Sequence, residues 1–150
     1  MMTKLELRGG RVRVPAAEAY EIAVDIFERT GVPKKHCHTI SEHLVDANLC
    51  GVESHGVMRV MQYVERLRDG TNVLGAMPEL TKTPNGVTVM DGHMGVGIPA
   101  MKEAYETVTD LTGDNGMGAM AVVNCGHTGR HGAFADAAAE RDDIGGGVII

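Results

Sequence analysis

The sequence predicts an α/β fold, with about three helices in its N-terminal half followed by an α/β part built on a hairpin and a mixed sheet. Three observations predict it. Apolar residues recur at helical spacing in three successive segments before residue 70, each bounded by proline or glycine. Pro84-Asn85-Gly86 separates two short β-prone runs, which is a hairpin signal. An apolar run at 117–124 then leads into a glycine-rich turn and a further helical segment. The change of pattern divides the chain into an N-terminal helical region, 1–76, and the start of an α/β region, 77–150.

The first helix is expected over 15–30. It sets Ala19, Ile22, Ala23, Ile26 and Phe27 on one face, begins at Pro15 and stops at Gly31. The second follows Val32-Pro33 and runs to about Cys50, with Ile40, Leu44 and Ala47 in register and Gly51 as its stop. The third is expected to begin at Ser54 as N-cap and to end at Gly70, with Val57, Val60, Met61, Val64 and Leu67 apolar. Residues 71–77 read as a loop, and 79–83 with 87–90 as the hairpin strands. Asp91 to Gly97 reads as a glycine-rich loop feeding a helix from about Pro99. Residues 117–124 read as a buried strand, Ala133 to about Arg141 as a helix, Asp142-Asp143 as a turn, and 144–150 as a last strand.

Composition limits what the chain can do. With two Phe, three Tyr and no Trp, the core must come from aliphatic residues and ten Met, which fill irregular gaps. A net charge of -6 with no basic cluster excludes a nucleic-acid partner. No apolar run approaches the length of a membrane span. Cys37, Cys50 and Cys125 form no C-x-x-C pair and no disulfide framework, so a soluble protein of the reducing cytoplasm is expected. His36, His38 and His43 offer no set of ligands at i and i+4 spacing. They are read as solvated helix-face residues, and no metal site is expected.

The residues that carry chemistry are Ser54-His55-Gly56-Val57-Met58-Arg59. If Ser54 caps a helix, His55 and Arg59 lie four residues apart on one face at its positive end. Imidazole and guanidinium would then converge on one ligand, and a 2-oxo acid fits that pair. The second candidate is His127, which follows a strand in Cys125-Gly126-His127-Thr128-Gly129-Arg130-His131-Gly132. Ligands of open α/β sheets sit at that end of a strand. Gly126, Gly129 and Gly132 let backbone approach a substrate, a cofactor or a neighbouring helix. His131 has no comparable support. The spacing Gly92-x-x-Gly95-x-Gly97 is not the dinucleotide fingerprint, and a tight helix-entry turn explains it.

The run Cys50-Gly51-Val52-Glu53-Ser54-His55-Gly56-Val57-Met58-Arg59-Val60-Met61-Gln62-Tyr63-Val64 resembles the signature of the malate/L-lactate dehydrogenase family, the non-Rossmann NAD(P)-dependent 2-oxoacid reductases. Asp91-Gly92-His93-Met94-Gly95-Val96-Gly97 is similar to the family's Asp-Gly loop, and Val123-Asn124-Cys125-Gly126-His127-Thr128-Gly129-Arg130 to its second histidine motif. The resemblance runs from about residue 15 onward, and it implies a fold truncated relative to the family. It also implies hydride transfer between NAD or NADP and a small 2-hydroxy or 2-oxo acid, with a homodimer in which each subunit helps to build the other's site. His55 and His127 would be the catalytic histidines, with the proton-transferring one open between them. Arg59 would hold the substrate carboxylate, and Ser54 would cap the helix and touch the substrate. The cofactor-binding residues are not identified. The alternative is a truncated relative without turnover, acting as a binding or structural oligomer.

Overall fold

The structure, a computed structural model, describes residues 12–141, without the side chains of 113–115. Helices α1 (Ala16–Thr30) and α2 (Lys34–Leu49) form where the apolar period requires them. α1 closes on Gly31, whose left-handed conformation (φ 91°) lets its amide reach back to the carbonyls of Glu28 and Phe27. A 3-10 turn at Glu53–His55 precedes α3 (Arg59–Arg68). Strands β1 (Glu79–Lys82) and β2 (Thr88–Gly95) pair antiparallel, with Leu80 opposite Met90, across the Pro84-Asn85-Gly86 turn. Then α4 (Gly97–Asn115) carries the chain to β3 (Ala121–Cys125), which pairs parallel to β2. A parallel pair needs such a crossover. α5 (His131–Ala139) follows.

Among the described residues the result is a three-stranded mixed sheet in the order β1-β2-β3, packed with five α-helices. Phe27 of α1, Ile40 and Leu44 of α2, Tyr63 and Val64 of α3, Ile98 and Met101 of α4 and Phe134 of α5 share one apolar core. That core joins residues from both halves of the chain. A smaller cluster of Met90, Ala100 and Ala104 seals α4 onto the sheet. No described helix is long and apolar enough to cross a membrane.

Several expectations need correction. The Asp91–Gly97 loop is a strand as far as Gly95, because both neighbours supply partners: Glu79 pairs with Asp91, and Cys125 with Gly95. The register shifts between Asp91 and Gly95, where His93 and Met94 adopt φ of 47° and 60°. The expected strand at 117–124 is confined to Ala121–Cys125 and is not buried, since Ala121, Val123 and Asn124 are exposed. Ile22, expected on the buried face of α1, is 49% exposed. His36 and His43 are buried, not solvated. His38 is half-buried and bonds Tyr20 (Oη to Nδ1, 2.8 Å). The turn at Asp142-Asp143 and the strand at 144–150 lie outside the described residues.

Candidate active site

Ser54 does not cap a helix. The residue before α3 is Met58, and no side chain caps it. Asn48, at the end of α2, instead pins the segment before α3: its Oδ1 accepts the amide of Val57 at 2.7 Å. Gly56 is pressed against the same Asn48 side chain, which leaves no room for a Cβ. The chain is thus held as a 3-10 turn plus a Gly56-Val57-Met58 step. His55 and Arg59 therefore share no helix face, contrary to expectation. Ser54 remains exposed, and its Oγ lies 3.0 Å from His55 Nδ1.

Tertiary packing brings the second histidine to this turn. The rings of His55 and His127 lie 5.2 Å apart, centroid to centroid. The strand end that carries His127 is sewn to β2 and α4: Gly126 N–H donates to Gly95 O (2.8 Å), and Gly97 N–H to the His127 carbonyl (3.2 Å). Buried Asn72 donates its amide to the carbonyls of Met94 and Gly95, both at 3.0 Å. A Cβ on Gly126 would run into that amide. The glycines of both motifs are filled the same way. Gly92 lies against Cys125, and Gly97 against the backbone of Gly126 and His127. They pack protein on protein and make no open cradle for a phosphate at these positions. No group of three or more potential ligands able to hold a metal ion is present among the described residues.

Tyr63 is the residue that sequence reasoning missed. It is 1% exposed, packs on Phe27, and sets its hydroxyl 2.7 Å from His127 Nδ1. Gly129 N–H points to the same nitrogen at 3.2 Å. An amide can only donate, so Nδ1 presents its lone pair and the neutral ring carries its proton on Nε2. Tyr63 lies four residues beyond Arg59 in the motif, and that spacing was the only available signal. Arg59 itself is held by neutral acceptors, the Ser54 carbonyl (Nε, 2.6 Å) and Gln62 Oε1.

The electrostatics follow from this crowding. Burial, with the charge of Arg59 next in weight, lowers the pKa of His127 to about 4; His55, Arg66 and His131 add to it. Burial and Arg59 also lower His55, and burial raises the phenol of Tyr63. Both imidazoles are thereby biased toward the neutral form beside the Arg59 guanidinium. An incoming anion would relieve that positive field and raise both imidazole pKa values.

The same burial makes the fold sensitive to acid. His43, also lowered to about 4, and His127 stay neutral when folded, whereas in the unfolded chain both take up protons near pH 6.5. Stability is full above that pH and is lost as pH falls toward 4, by about 2 kcal/mol for each ring at pH 5. Urea midpoints at pH 7.5 and 5.0 measure it. Equal midpoints would mean that water reaches both rings.

Residues 14–148 match the malate/L-lactate dehydrogenase family. The chain is 30% identical over 134 residues to the malate dehydrogenase of Pyrococcus abyssi, covering 89% of this chain and 37% of that protein. It is 30% identical over 127 residues to the L-sulfolactate dehydrogenase of Methanocaldococcus jannaschii, covering 83% and 36%. Among solved structures, the malate dehydrogenase of Pyrococcus horikoshii superposes with a TM-score of 0.80 at 28% identity, over 93% of this chain and 40% of that one. The chain thus spans little more than a third of the length of these relatives. Matched along nearly all of its own length, it belongs to the malate/L-lactate dehydrogenase family.

Proposed function

We propose that this chain carries the substrate-binding and proton-transferring part of a 2-hydroxyacid dehydrogenase. The reaction is hydride exchange between NAD or NADP and a small 2-hydroxy or 2-oxo acid such as malate, lactate or sulfolactate. Relatives named malate, sulfolactate and hydroxycarboxylate dehydrogenases support the oxidoreductase class. The observation that carries the reading is the pair of imidazole rings 5.2 Å apart, with Arg59 bonded to the carbonyl of the residue before His55.

Arg59 binds the substrate carboxylate, to which its planar fork is matched. His127 moves the proton. Carboxylate binding raises its pKa, so that the ring takes up a second proton at Nδ1 and the imidazolium gives its Nε2 proton to the alkoxide as the 2-oxo carbon is reduced, leaving the neutral ring protonated on Nδ1. The Tyr63 phenol serves both states, donating to Nδ1 of the neutral ring and accepting from Nδ1–H of the imidazolium. His55, tilted beside it and bonded to Ser54, donates a hydrogen bond to the substrate, and Ser54 orients His55. The two regions, 1–76 and 77–150, contribute His55 with Arg59 and His127 respectively. We further place the protein in the cytoplasm as a homodimer.

The test is oxidation of NADH and NADPH by the 150-residue chain with oxaloacetate, pyruvate and sulfopyruvate, followed at 340 nm, together with titration of each nucleotide. Turnover that depends on the acid supports the reading. A folded chain that neither binds nucleotide nor turns over is instead the inactive binding or structural relative.

A further inference from the structure

The loop 127–130 rests on α2. His43 and Asp46 stand three residues apart on that helix and so share a face. His43 Nε2 accepts the backbone N–H of Arg130 at 2.8 Å. Asp46 Oδ2 accepts Nη2 of the same arginine, also at 2.8 Å, and Asp136 of α5 takes the guanidinium at 3.2 Å. The His43 ring is 8% exposed and stacks on Phe134 at 4.8 Å. Its other neighbour is Gly129, at φ 76°, where any Cβ would overlap the imidazole.

We propose that His43 and Asp46 are positioning residues, which grip both ends of Arg130 and thereby hold Gly129 and the His127 ring in their working orientation. The chain of contacts is short. Arg130 N–H is fixed on His43, the preceding Gly129 N–H is thereby aimed at His127 Nδ1, and that contact selects the Nε2–H tautomer. His43 can accept only while its Nε2 is bare. Its burial favours that form, although Asp46 opposes it. The inference rests on the proposed role of His127, but its geometry is independent of turnover.

The test reads the imidazole nitrogens of His127 by NMR in the 150-residue chain, with the signals assigned through His127→Gln. The parent chain is expected to show one neutral Nε2–H tautomer. In His43→Leu, which keeps an apolar side chain but removes the acceptor, both tautomers are expected, with the His127 pKa raised by more than one unit. His43→Gln, whose amide oxygen reaches near the Nε2 position, should restore the parent signals. Asp46→Asn, at a half-buried position, should give a smaller shift in the same direction, and it carries the test if His43→Leu does not fold. Parent-like His127 signals in His43→Leu, or in Asp46→Asn when that variant stands alone, overturn the proposal. In an active form, His43→Leu should lower kcat about tenfold, with the Michaelis constant for the acid within twofold. An altered tautomer with unchanged kcat would leave the positioning intact and remove His127 from the mechanism.

Discussion

Arg59→Ala should raise the Michaelis constant for the acid about a hundredfold in any active form, while that for the nucleotide changes less than about threefold. The magnitude is that of a charge-assisted, two-bond contact, about 3 kcal/mol, and every 1.4 kcal/mol is about tenfold. Arg59→Lys should recover only part of it, because an ammonium keeps the charge but loses the planar fork. The guanidinium also holds the Ser54 carbonyl, so circular dichroism and thermal melting must first establish that the turn survives. Equal rises for acid and nucleotide would sink the carboxylate role. Loss of Arg59 also removes the second-ranked cause of the low His127 pKa, which should move upward.

His127→Ala should lower kcat by about a hundredfold to ten-thousandfold, the usual worth of a positioned acid or base. His55→Ala should cost less, because a hydrogen-bond donor to substrate is lost but the proton carrier remains. Near-normal turnover in His127→Ala eliminates that residue from the chemistry, and a larger loss in His55→Ala reverses the two roles. Tyr63→Phe separates positioning from bulk. It keeps the ring packed on Phe27 but withdraws the hydroxyl that partners Nδ1 of His127 in both protonation states. The imidazolium then loses the acceptor of its Nδ1–H while Gly129 N–H still faces that nitrogen, so the pKa of His127 should fall and the acid limb of the pH–rate profile should move to lower pH with it. A lower kcat with an unmoved profile would assign Tyr63 to packing alone.

Helices α1 and α2, and the hairpin about Pro84-Asn85-Gly86, were legible because their determinants are local: a 3.6-residue apolar period, proline and glycine at the ends, and a turn tripeptide. The start of α3 was not legible. Ser54 has the right side chain for a cap, but the segment before α3 is held by Asn48, nine residues before Val57, whose amide it accepts, and Gly56 fits against it. The Asp91–Gly95 strand was equally hidden, since its glycines and left-handed residues signal a loop. Pairing with β1 on one side and β3 on the other overrides that signal.

By itself the sequence determined the order of elements, the family likeness and the residue types available for the chemistry: two histidine motifs, an arginine, and glycines where backbones must close together. Only the tertiary structure decided what those residues do to one another. It brings His127 to His55 across seventy-two positions, selects Tyr63 and Gly129 as the partners of Nδ1, buries His43 against the loop, and turns the motif glycines toward protein instead of phosphate. The physical reason is that periodicity and turn chemistry are carried by neighbours in the chain. A tautomer, a desolvated imidazole and a filled glycine depend on contacts that exist only once distant segments have packed.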